Sequence, residues 1–289
     1  MSACNERDVP DPSARARLTV VITCRDDRRV IQAVRSIDAP VEVLLVLNGS
    51  PAGFADELRR ELGDRVRIET LARPNRGRSV EHGIAAASHD WVLLMDADCV
   101  FAPGSVAAVE RAFAQGKPSE EVYKGRLVYE PGRSRASAVI SRSRTQRNGR
   151  LSAYKPALAF SRELATRLGG YFFDARLIWK SDAELDHRIR RAGLRILPAE
   201  GCVVHHAPLS LRTDLYSSFH YGVGAAILRC LGLGYVEPQR SVIEAWKRDG
   251  SAAALYMTLS NQVLAAGYAY AWVRLRLSGK RWLQKVSGA

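Results

Sequence analysis

The chain has 289 residues, 47% hydrophobic and 25% charged, the composition of a soluble globular protein with room for one large core and a smaller appendage. Lys and Arg outnumber Asp and Glu 43 to 30, a net charge of +13, which favours an anionic partner: a phosphorylated small molecule, a membrane surface or nucleic acid. Five cysteines, an odd number without repeated spacing, argue against a disulfide framework or structural zinc site and for reduced thiols in a cytoplasmic setting.

Residues 1–17, MSACNERDVPDPSARAR, are polar, carry no apolar signal-peptide core and read as a disordered tail. LTVVIT (18–23) is a short β-branched run and predicts a buried strand, after which RRVIQAVRSI (28–37) has helical spacing. VEVLLVL (41–47) predicts a second strand closed by the turn NGS, and FADELRRELG (54–63) a helix ended by glycine. RVRIET (65–70), SVEHGIAAAS (79–88) and WVLLMD (91–96) continue as strand, helix and strand. Strands alternating with helices at this spacing predict an α/β fold with a parallel sheet. Ligands on such sheets bind beyond the carboxyl ends of the strands, where Asp96 and Asp98 of WVLLMDADCVF emerge.

Carboxylates at a strand exit face a crevice and can stay hydrated. Two of them with one residue between can share a Mg²⁺ or Mn²⁺ ion, which takes a few carboxylate oxygens plus substrate phosphates. Taken alone, the D-x-D pattern also suits the start of a solvated loop. The order of elements ending in DAD resembles the nucleotide-sugar half of family 2 glycosyltransferases, which have the GT-A fold. LTVVITCRDD, VLLVLNGS and ARPNRGRSVEHGIAAASHDWVLLMDADC are similar to that family's first strand, its second strand with turn, and its run into D-x-D. The resemblance implies a Rossmann-like, mostly parallel sheet flanked by helices. It divides the chain into a GT-A catalytic domain at 18–212, with a donor half (18–105) and an acceptor half (106–212), followed by a helical region at 213–289.

On this resemblance Asp98 holds Mn²⁺ or Mg²⁺ against the donor diphosphate, and Asp96 contacts the ribose or the metal's water shell. Asp26 and Asn48 fall on the donor side, although Leu47 stands where relatives often carry an aspartate, so UDP, GDP and dTDP all stay open. Arg76, in the turn PNRG, is placed to reach a phosphate; an exposed basic loop accounts for it equally well. LGGYFFDARLIWKSDAELDHRIRRAG (168–193) is similar to the family's acceptor motif, with Ser181 in place of its first acid. That likeness implies Asp182 as catalytic base, and Gly170, Trp179, Glu184 and Arg188 on the acceptor side. Read without it, Asp182 is an acid favoured at a helix N-terminus. In EGCVVHHAPLSLR (200–212), relatives often complete the metal site with a histidine. His205 fits the spacing to Ser210 slightly better than His206.

The implied activity is a metal-dependent, inverting transfer of a sugar from a nucleoside diphosphate donor to an acceptor hydroxyl. PGRSRASAVISRSRTQRNGR (131–150) has six arginines and no acid, and reads as a mobile loop for a phosphorylated or lipid-linked acceptor, or simply as a solvated loop. LYSSFHYGVGAAILRCLGLG (215–234) reads as a helix, and 251–273 lacks any charged residue but is diluted by polar ones. The latter favours a helix lying on the inner face of the cell membrane or packing on a partner subunit, so an oligomer stays open, and argues against a membrane span; ordinary packing on the catalytic domain accounts for it as well. Heavy Ala and Arg usage suits a GC-rich bacterial gene, where both cell-envelope glycans and secondary metabolites are plausible products. Nucleic acid is not expected as a partner, since no recognition helix or zinc spacing accompanies the charge. A catalytically inactive GT-A-like scaffold, or a basic nucleic-acid- or membrane-binding protein, is the second reading, kept open by Leu47 and Ser181.

Overall fold

The computed structural model describes residues 18–147, 151–233 and 241–287, and the expected disordered tail lies outside them. The first part follows the alternation read from the sequence: β1 (Leu18–Cys24), α1 (Val30–Arg35), β2 (Glu42–Asn48), α2 (Ala52–Leu62), β3 (Arg67–Leu71), α3 (Arg76–Ala86) and β4 (Trp91–Asp96). Strands β1, β2, β3 and β4 pair in parallel in the order β3-β2-β1-β4. Successive side chains of a strand point to opposite faces. Leu18, Val20 and Ile22 of β1 therefore join one core, with Val34 and Leu58 of α1 and α2, while Val21 joins the other, with Val80 and Ile84 of α3. β1, β2 and β4, buried on both faces, need continuous apolar runs, which is why those segments were recognisable, whereas β3 is a partly exposed edge strand.

The second part is less regular. It contains β5 (Cys99–Phe101), α4 (Ser105–Gln115), β6 (Glu121–Tyr129), α5 (Arg135–Arg147), β7 (Leu158–Ser161), α6 (Ser181–Arg191) and β8 (Arg195–His206). The sheet continues past β4 in the order β7-β6-β8-β5. Pairings of β7 with β4 and β6, and of β5 with β8, are antiparallel, while β6 and β8 are parallel. The result is a parallel-dominated α/β sheet flanked by helices, as expected.

One expectation is corrected. The arginine-rich stretch is a helix over Arg135–Arg147 and not a loop. Its inward face is built from Ser137, Ile140, Ser141, Ser143 and Arg144, all buried, so almost no apolar periodicity marks it in the sequence. The serines hold it to the sheet: the Ser141 hydroxyl donates to the Tyr129 carbonyl, and the Tyr129 amide donates to Thr145 Oγ1 at 2.9 Å.

Beyond the sheet come α7 (Leu211–Cys230), α8 (Val242–Asp249) and α9 (Ser251–Ser287), the last kinked at Gly279. Helices α7 and α9 meet through Asp214 and Tyr256, then Ser218 and Ser260, each pair 42 residues apart. The two contacts are one turn apart on both helices, so α7 and α9 run parallel in a constant register.

Candidate donor and acceptor cleft

The carboxyl ends of β1, β2 and β4 open onto a cleft of about 810 Å³, whose opposite wall is the 178–182 segment and α7. Asn48, Arg76, Asp96, Asp98, Trp179, Asp182 and His206 line it, drawn from both halves of the chain. Asn48 ends β2 and fixes the turn between β3 and α3, its Oδ1 accepting from the Asn75 amide at 2.7 Å. Asn75 in turn caps α3, which sets Arg76 at the cleft.

Asp96 closes β4 and does not stand alone. Lys155 Nζ donates to its Oδ1 at 2.8 Å, and Arg76 lies 3.9 Å from the same oxygen. Burial works against the Asp96 charge, but Lys155 and Arg76 outweigh it and hold the carboxyl well below the usual carboxylate range. Nothing in the sequence singled out Lys155, whose side chain is only 3% exposed.

Asp98 Oδ2 faces His206 Nε2 at 3.4 Å and Arg29 at 3.7 Å. His206 ends β8 and stacks on Tyr129, ring centroids 4.5 Å apart. Its Nδ1 lies 2.7 Å from the Ala207 carbonyl, which can only accept, so Nδ1 bears a proton and Nε2 is the ring nitrogen turned to Asp98. A carboxylate and an imidazole lone pair at this separation fit a shared cation. Asp98, Cys99 and His206 present ligand atoms within 4.8 Å of one another. Burial and then the Asp98 charge push the Cys99 thiol up, leaving carboxylate and imidazole as the hard ligands suited to Mn²⁺ or Mg²⁺.

Strand pairing separates the two histidines. In the β5–β8 ladder Cys99 is opposite His206 and Val100 opposite His205, so the two rings emerge on opposite faces. The structure brings His206 to Asp98 and turns His205 away, its Nδ1 2.6 Å from Glu130 Oε1. That reverses the preference drawn from spacing. Ser210, the marker for that spacing, caps α7 by accepting from the Thr213 amide.

Asp182 sits in the first turn of α6 and lines the same cleft, where its charge acts on Arg76 and Tyr221. Of the other motif residues Trp179 lines the cleft, while Gly170, Glu184 and Arg188 lie outside its lining. Arg188 grips Glu184 at 2.6 and 2.9 Å and donates to the carbonyls of Leu168, Tyr171 and Phe172, so this pair clamps the glycine-aromatic loop onto α6. Gly170, at φ +90°, lets that loop turn. Asp26 is exposed, while its neighbours Arg25 and Asp27 line the cleft, Asp27 held by Arg29 at 2.6 Å.

Two further cleft residues were not anticipated. Arg144 of α5 pairs with Asp214 of α7, both buried, and lies 5.7 Å from the centroid of the Tyr221 ring. Burial alone would raise the Tyr221 phenol, but Arg144 in particular draws it below the ordinary phenol range.

Residues 19–161 match the family described as Glycosyl transferase family 2. The fold is similar to the crystal structure of S. aureus TarS, at 11% identity and a TM-score of 0.50, covering 89% of this chain and 55% of that one. It is similar also to S. aureus TarS 1–349, at 13% identity and a TM-score of 0.51, covering 91% and 73%. This chain thus spans about half the length of the longer TarS chain, and at such identities the likeness concerns the fold, GT-A. A search of curated proteins gives no match.

Proposed function

We propose that this chain, a glycosyltransferase by its family 2 domain, performs a metal-dependent, inverting transfer from a nucleoside diphosphate sugar to an acceptor hydroxyl. The observation that carries the reading is one cleft lined together by Asp96, Asp98, His206 and Asp182, drawn from both halves of the chain. Residues 18–212 form the catalytic domain, donor half first. Asp98 and His206 are the residues to hold Mn²⁺ or Mg²⁺, which when bound offsets the charge growing on the departing diphosphate. Asp96, kept ionised by Lys155 and Arg76, fixes those two cations at the donor end, and Asn48 and Arg76 border the nucleotide.

An acceptor hydroxyl is a weak nucleophile near neutral pH, so a carboxylate in hydrogen-bond reach takes its proton as the new bond forms. Asp182 has that role. In this reading Asp182 directs attack on the face of the sugar opposite the leaving group, which inverts the anomeric centre.

No helix among the described residues is long and apolar enough to cross a membrane. The outer surface of α9 exposes Leu255, Tyr270, Trp272, Val273 and Leu277, with exposed Arg274, Arg276 and Arg281 at its end. That combination supports α9 lying on an anionic membrane surface, on the cytoplasmic side, near a phosphorylated or lipid-linked acceptor.

A panel of UDP, GDP and dTDP sugars, scored for Mn²⁺-dependent binding and for slow donor hydrolysis, tests the reading. Donor-selective binding that disappears without metal and in Asp98→Ala is expected. Asp182→Asn should keep donor binding and lower transfer by about a hundredfold or more. No binding to any nucleotide sugar would leave an inactive scaffold as the better account.

A further inference from the structure

We infer that helix α7 carries the acceptor subsite, with the Tyr221 hydroxyl as its polar anchor and the Trp179 ring as its floor, and that the acceptor hydroxyl is borne on a sugar or cyclitol ring. This rests on the glycosyltransferase reading and adds to it the residues and the chemical class of the acceptor.

Tyr221 lines the cleft beside Asp182, and its position is fixed from several directions. At Gly222 a Cβ would stand 1.9 Å from the Leu264 carbonyl oxygen, so glycine lets α7 rest on the backbone of α9. At Gly224 a Cβ would stand 2.7 Å from the Trp179 carbonyl oxygen, so the other flank of the same turn rests on the segment that carries Trp179. Beneath them Asp214, wholly buried, accepts from Arg144 Nε at 2.6 Å through one oxygen and from the Tyr256 hydroxyl at 2.7 Å through the other. Asp214 thereby ties α5, α7 and α9 together and aims Arg144 at the Tyr221 ring. It is a positioning residue; Tyr221 is the group that faces the ligand. An anchor held in this way loses little conformational freedom on binding, which is what a binding group requires.

The same wall shows what it would bind. Trp179 is half-buried and edged by aromatic rings, 6.4 Å from Tyr221 and 4.6 Å from His220. Thr213, Ser217 and Tyr221 bring hydroxyl side chains to the cleft around it. A saturated ring offers a face of C–H groups and a rim of hydroxyls, the complement of an aromatic floor with a polar border. A wholly apolar acceptor would strip water from those hydroxyls without replacing its hydrogen bonds. Arg144 and Lys180, at 5.7 and 5.0 Å from the Tyr221 ring centroid, withdraw charge from the phenol and make it a better donor to an acceptor oxygen.

The test uses the full chain, with methyl glycosides and myo-inositol as probes, and saturation-transfer NMR in the presence of Mg²⁺ and each nucleoside diphosphate in turn. At least one ring compound should bind. Tyr221→Phe should weaken it by about five- to tenfold, the effect of one hydrogen bond, and Trp179→Ala by more. In transfer assays Tyr221→Phe and Asp214→Asn should raise the acceptor KM more than they lower kcat, with nucleotide Kd unaltered. Unchanged ring-compound Kd and acceptor KM in Tyr221→Phe overturns the assignment, as does intact nucleotide binding with no ring compound bound. Absence of nucleotide binding by the unaltered protein would instead sink the glycosyltransferase reading on which this one stands.

Discussion

Lys155→Met is the sharpest test of the donor end, because it removes a contact and little volume. Lys155 Nζ is 2.8 Å from Asp96 Oδ1, the side chains 3% and 19% exposed. Deleting one member of a buried ion pair costs about 3–5 kcal/mol, since the remaining charge stays desolvated and unmatched. Arg76 is left behind, 3.9 Å from the same oxygen but 42% exposed, so solvent screens it and it holds only part of the charge. The expected loss is therefore near the lower end, about 3 kcal/mol, measured by urea unfolding at pH 7. Acid unfolding supplies a second reading. The folded Asp96 carboxyl titrates below its unfolded value, so the pair contributes fully above the ordinary carboxylate range and its contribution is lost as pH falls toward the folded value. Lys155→Met raises the folded value and should move the onset of acid unfolding to higher pH. A loss under about 1 kcal/mol with an unmoved acid limb would refute the reasoning and make Arg76 the residue that holds Asp96.

A buried lysine in β6 gives the opposite limb. Burial draws the Lys124 ammonium from 10.5 to about 8, so between those values the unfolded chain binds more protons and stability rises with pH, the penalty being complete below 8. Lys124→Met should be more stable than the unaltered protein at pH 7, and their thermal midpoints should converge between pH 8 and 10; a constant difference would contradict the shift. At the proposed cation site, His206→Ala should weaken Mn²⁺-dependent nucleotide binding as Asp98→Ala does, whereas His205→Ala should alter it little, calorimetry with UDP, GDP or dTDP being the measurement. Equal losses in both variants would contradict the orientation of the β8 ladder.

The donor side was readable because strands buried on both faces must be apolar throughout, as in VLLVLN and WVLLMD, and because two acids end one of them. The acceptor side was readable only as a motif. Choosing between His205 and His206 needs the pairing partner of β8, a contact distant in sequence and invisible to spacing. Lys155 and Arg144 were missed for a related reason: a buried cation is recognisable only from the anion it meets, 59 residues away for Asp96 and 70 for Asp214. Strand β6 was hidden by Glu121 and Lys124, charged residues in a buried segment, and α5 by a core face made largely of serine. Glu184 and Arg188 show the converse: the motif marked them as functional neighbours, and the structure uses them to clamp a loop.

The constant register between α7 and α9 has a mechanical consequence. Asp214 with Tyr256, Ser218 with Ser260 and Gly222 with Leu264 are successive rungs, and slippage by one turn would break all of them together. The helix pair therefore cannot creep: its register ties the outer helix α9 to the cleft wall that carries Tyr221. A load on α9 would thus reach that wall through the rungs at Asp214, Ser218 and Gly222 together.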